Sequence, residues 1–126
     1  MGLDMYVSKI SERFLMGQDV DFAPPSGSAH TVIFKWRKHP DLHGWMRQLY
    51  QMKGGRDPEF NCNTVRLDSS DIDRLEKEVC NCTLPFTSGP FFGQSEPSDQ
   101  ADDLSFVALA RAELAAGHAL FYWSWW

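Results

Sequence analysis

At 126 residues, 43% hydrophobic and 23% charged, the chain fits one soluble globular domain large enough to bury most of its apolar surface. A formal charge of -5 argues against general nucleic-acid binding, which needs a basic face, but is compatible with a basic partner. No stretch approaches the ~20 apolar residues of a membrane span, the N-terminus lacks a secretory pattern, and the odd set of Cys62, Cys80 and Cys82 cannot close into internal disulfides, which together point to a reducing cytoplasm.

Leu3, Met5 and Val7 alternate with Asp4, Tyr6 and Ser8, the pattern of an amphipathic strand. Residues 11–30, with Gly17, Pro24, Pro25, Gly27 and several serines, read as a loop, with room for a short helical or strand piece around Phe14, Leu15 and Met16. A second strand runs from Thr31 to Arg37, with Val32, Phe34 and Trp36 on one face and Ile33, Lys35 and Arg37 on the other. Pro40 stops it and suits the first turn of a helix.

That helix is predicted from Pro40 to Met52. Leu42, Trp45, Met46 and Leu49 fall at the spacing of one buried face, and Gly54-Gly55 ends it. Thr64 to Leu67 reads as a short strand. Asp68, Ser69 and Ser70 then supply N-caps for a second helix whose apolar stripe is Ile72, Leu75 and Val79, with Asp71 and Asp73 in its first turn. Residues 84–100 hold three of the seven prolines together with Gly89 and Gly93, and form a structured loop. A third helix is predicted from Asp99 to Ala116, closed by Gly117; its alanines blur the periodicity, so no buried face is assigned.

The chain finishes in Ala119-Leu120-Phe121-Tyr122-Trp123-Ser124-Trp125-Trp126, which holds three of the five tryptophans. Both faces of a strand here are apolar, which suits an interior strand covered on both sides. The sum is a single α+β domain over residues 1–126: a mainly antiparallel sheet of about four strands, about three helices, and a central C-terminal strand beside the N-terminal one.

Several motifs resemble a family of small, functionally uncharacterised proteins of bacteriophages and prophages. They are Met1-Gly2-Leu3-Asp4-Met5-Tyr6, Trp36-Arg37-Lys38 followed by His43 and Trp45, the loop from Leu84-Pro85 to Ser88-Gly89-Pro90-Phe91-Phe92-Gly93, and the closing Phe121-Tyr122-Trp123-Ser124-Trp125. This chain departs from the pattern in placing Pro40 between the basic cluster and His43, and in ending on Trp-Trp. Members sometimes carry a phosphoglycerate kinase label. The length and the want of a Gly-rich phosphate loop give that label no support. The resemblance implies a phage context, a bacterial host cytoplasm and no particular chemistry.

The candidate ligand site is Trp36, Arg37, Lys38, His43 and Trp45. A strand ending in Arg-Lys beside a helix N-terminus gathers cations, free N–H groups and flat rings, which suit a small anionic ligand such as a nucleotide. The more economical reading makes Trp36 and Trp45 core and the basic residues a solvated strand end. Cys80-Asn81-Cys82 with Cys62 matches no metal-ligand spacing, and free thiols packed at the end of the second helix account for them. No Gly-x-Ser-x-Gly elbow marks a nucleophile. Asp99, Asp102 and Asp103 read as acids at the positive end of a helix dipole, and the 88–93 loop either drapes Phe91 and Phe92 over a ligand or, by default, plugs them into the core. No metal or cofactor is called for. The expectation is a binding protein rather than an enzyme, acting on a host protein by inhibiting or sequestering it; the alternative is a nucleotide- or phosphate-ligand-binding protein or an enzyme using Arg37, Lys38 and His43.

Overall fold

The computed structural model describes residues 2–23 and 30–126. Met1, and Pro24, Pro25, Ser26, Gly27, Ser28 and Ala29 of the predicted loop, lie outside the described residues. Four strands, β1 (Asp4–Ile10), β2 (His30–Arg37), β3 (Thr64–Leu67) and β4 (Ala119–Trp125), form one antiparallel sheet in the order β2-β1-β4-β3. The helices are α1 (Pro40–Met52), α2 (Ser69–Cys80) and α3 (Asp99–Ala115). The α+β class, the interior position of β4 and its pairing with β1 are as the sequence predicts.

Period-two alternation decides the layers. Val7, Tyr122 and Val65 lie side by side across three strands, as do Leu120 and Leu67 across two, and this face meets the helices. Leu42, Met46 and Leu49 from α1, Ile72, Leu75 and Val79 from α2, and Phe106, Val107 and Ala110 from α3 fill the space above it. Burying each such aliphatic or aromatic side chain contributes about 1.5–3 kcal/mol before chain entropy is set against it. The opposite face carries Ile10, Ala119 and Phe121 and is covered by Leu15 and Phe22 from the segment between β1 and β2. That segment includes a short 3-10 turn at Glu12–Phe14. The cover reaches only part of the strand: Trp123 is half-buried, and Trp125 is 56% exposed.

The sequence reading departs from the structure in β2. The register steps from Val7↔Phe34 to Ser8↔Val32, so Ile33 is an extra residue in the ladder. This bulge breaks the Val32, Phe34, Trp36 alternation and packs Ile33 against the main core beside Phe34. The stripe hidden in α3 is Asp103, Phe106, Val107 and Ala110. Its spacing is regular, but its first member is an acid, so a count of apolar residues misses it.

Local chemistry fixes the helix ends. Asp68 and Asp71 form a reciprocal capping box, each carboxylate accepting from the other's backbone N–H at 3.0 and 2.9 Å. Lys53 Nζ adds an ion pair to Asp71 at 2.5 Å. Within α1, Gly44 leaves room for the 84–95 loop: a Cβ there would lie 1.8 Å from Thr87 Oγ1. Of the two loop phenylalanines, Phe92 is core as predicted, whereas Phe91 points outward and is 62% exposed. The three thiols are free and exposed, not packed against the end of α2.

Candidate functional site

The five residues singled out at the end of β2 and the start of α1 point in different directions. Trp36 is buried; its indole N–H donates to Asp103 Oδ1 at 3.1 Å, and its ring meets Phe106 edge-on at 4.9 Å. His43 is 2% exposed and lies against Phe60 and Phe92, with Nδ1 2.7 Å from the Tyr122 hydroxyl. Burial, and then the nearby Arg47 charge, lower its pKa to about 4. It is therefore a neutral core residue at pH 7 and supplies no charge to an anion. Trp45 is buried with its indole N–H donating to Glu78. It borders a hollow of about 110 Å3 in which the neighbouring cation is Arg74, whose guanidinium carbon lies 5.8 Å from the ring.

Arg37 and Lys38 do reach the surface. Arg37 pairs with Asp4 at 3.2 Å. Lys38 sits at a φ of 57°, donates its backbone N–H to the Leu3 carbonyl at 2.9 Å, and lays its aliphatic stem along Gly93. A Cβ on Gly93 would come within 3.1 Å of that stem. The basic pair thus belongs to the strand end, while the two tryptophans and the histidine belong to the core.

Two other places stand out. The first is an aromatic wall at the end of β4. Trp125 separates a hollow of about 430 Å3, bordered by Gly2, Asp4, Pro90, Phe91 and Trp126, from one of about 610 Å3, bordered by Asp21, Phe22, Cys62, Asn63 and Trp123. Behind the wall Tyr6 stacks on Trp123 at 4.4 Å, and the Trp123 indole donates to Ser8 Oγ at 3.0 Å. Asn61 holds Trp126 through both backbone groups, accepting from its N–H at 3.0 Å and donating to its carbonyl at 2.8 Å. Trp123 and Trp126 are thus each held by side-chain partners on either side of Trp125.

The second is a polar relay between β2, α3 and the 84–95 loop. Asp103, buried on α3, accepts from Trp36 through Oδ1 and meets His39 Nε2 through Oδ2 at 2.8 Å. His39 Nδ1 lies 2.6 Å from Ser95 Oγ. Ser95 Oγ also accepts the Asp41 backbone N–H, at the start of α1, at 3.0 Å. In the tautomer with its proton on Nε2, the imidazole donates to Asp103, and Nδ1 accepts from the Ser95 hydroxyl. A second carboxylate, Asp99, stands 3.6 Å from the same Nδ1. Asp103 is therefore a buried acceptor as well as a residue near a helix N-terminus, which corrects the dipole reading.

No local pattern in the chain marks this relay. Pro40 removes His39 from the helix pattern, Ser95 lies among loop residues, and the partners are 56 and 64 residues apart. Only Asp103 left a signal, as an acid in phase with Phe106, Val107 and Ala110. No protein family, curated protein or solved structure matches the chain.

Proposed function

We infer that the protein acts by binding, and that its binding surface is the wall around Trp125. The observation that carries this reading is the 56% exposure of Trp125 on an interior strand, between two hollows and beside the 62% exposed Phe91. An interior strand has its backbone hydrogen bonds satisfied, so folding alone gives no reason to hold a large ring in water there. One hollow carries the Asp21 carboxylate, and the other carries Asp4, which is already paired with Arg37. Together with the overall charge of -5, this favours a protein segment bearing apolar and basic side chains. The resemblance to small phage and prophage proteins supports a protein of the bacterial host as the partner, held and thereby inhibited or sequestered.

Selection from a displayed peptide library tests the reading. Enriched sequences should combine an aromatic or aliphatic anchor with Lys or Arg, and Trp125→Ala should weaken their binding at least about tenfold while leaving the melting temperature unchanged. Peptides that bind Trp125→Ala as well as wild type would refute it.

A further inference from the structure

We propose that Ser95, His39 and Asp103 form a nucleophilic site that cleaves small uncharged esters. The three side chains make the chain of contacts such chemistry needs: a hydroxyl 2.6 Å from an imidazole nitrogen, and a buried carboxylate 2.8 Å from the other nitrogen of the same ring. Each member is held from behind. The Trp36 indole fixes Asp103, and the Asp41 N–H fixes Ser95 Oγ. His39 itself is 3% exposed, and its Nδ1 faces Ser95 Oγ, the arrangement a general base behind a nucleophile requires.

Ser95 also opens onto a hollow of about 320 Å3 bordered by Pro40, Asp41, Phe86, Thr87 and Gly93. That size suits a short acyl group, being at the lower end of ligand pockets. The Asp41 carboxylate stands at the hollow and Asp99 behind the imidazole, and both repel an anionic substrate. Pro40 and Phe86 offer apolar contact.

In the acylation step Ser95 Oγ bonds to the ester carbonyl carbon while its proton passes to His39 Nδ1. The carbon–oxygen bond to the alcohol breaks, and the alcohol leaves with that proton. Water then bonds to the acyl carbon and gives a proton to Nδ1. The Oγ–carbon bond breaks, the proton returns to Oγ, and a carboxylic acid is released. Asp103 accepts from Nε2–H throughout and stabilises the imidazolium formed between the transfers.

The test uses the full chain with a fluorophosphonate and, separately, with 4-nitrophenyl acetate. One phosphonyl group per chain should map to Ser95 by peptide mass spectrometry, and Ser95→Ala should slow release of 4-nitrophenol by about a hundredfold or more. Because Ser95→Ala also removes a cap from α1, its melting curve is recorded alongside. If that variant fails to fold, the mapped position on the wild-type chain decides alone. Absence of the adduct, an adduct elsewhere, or a folded Ser95→Ala with the wild-type hydrolysis rate overturns the proposal.

Discussion

His43 on α1 and Tyr122 on β4, 79 residues apart, share a 2.7 Å hydrogen bond in the interior of the protein. Both groups respond to that burial: the histidine pKa falls to about 4, and the phenol is held protonated by a raised pKa. In the unfolded chain His43 titrates near 6.5. Between pH 6.5 and 4 the unfolded state therefore binds a proton that the folded state refuses, and stability falls as pH falls through that window. The loss from this one residue should reach about 3 kcal/mol by pH 4. Denaturant melts of wild type and His43→Gln from pH 7 to 4 measure it: the variant should show a smaller decline over the window, and parallel declines would count against a neutral buried His43.

Gly44 makes a second prediction in which two effects compete. Gly→Ala inside a helix ordinarily gains up to about 1 kcal/mol of propensity. Here the new methyl would sit 1.8 Å from Thr87 Oγ1 and 2.9 Å from Thr87 Cβ, and Thr87 is itself buried. Overpacking typically costs about 1–3 kcal/mol, so Gly44→Ala should be net destabilising by roughly 1–2 kcal/mol. Adding Thr87→Gly removes the obstruction and should restore most of the loss. If Gly44→Ala raises the melting temperature, the 84–95 loop does not lie against α1 as described.

Deleting Trp123 to Trp126 tests the role of β4. The deletion removes the Trp123 rungs to β1 and β3, the Trp123 bond to Ser8 and the Ser124 carbonyl that accepts from Cys62 N–H. Half-buried Trp123 and Trp126 are lost together with these bonds, against a total stability of about 5–15 kcal/mol. The truncated chain should lose its cooperative thermal transition by circular dichroism. Melting within a few degrees of full length would refute a central β4.

The elements legible in the sequence were those whose signal is local. Pro40 and Gly54 bound α1, Asp68 and Asp71 cap α2, alternation marks β1, and a run apolar on both faces marks β4. What stayed hidden depends on partners distant in sequence. The bulge at Ile33 is a property of the β1–β2 pair and not of β2 alone. Trp36 and Trp45 read more economically as core than as stacking surfaces, but the sequence could not name their partners Asp103 and Glu78. The Ser95–His39–Asp103 relay joins three residues that share no local pattern.

The two borders of the sheet limit how this protein meets others. Along β2, the Ile33 bulge interrupts the row of backbone groups that an incoming strand would follow, and exposed Lys35 and Arg37 bring charge to the same rim. Along β3, the outer side is already occupied: Val20 bridges to Val65, Asp21 N–H donates to the Thr64 carbonyl at 3.0 Å and Arg66 N–H to the Asp19 carbonyl at 2.8 Å. Growth of the sheet by a foreign or identical chain is thereby discouraged at both rims. Recognition is left to side chains such as Trp125 and Phe91, and the protein carries its exposed aromatic surface without offering a template for fibrous aggregation.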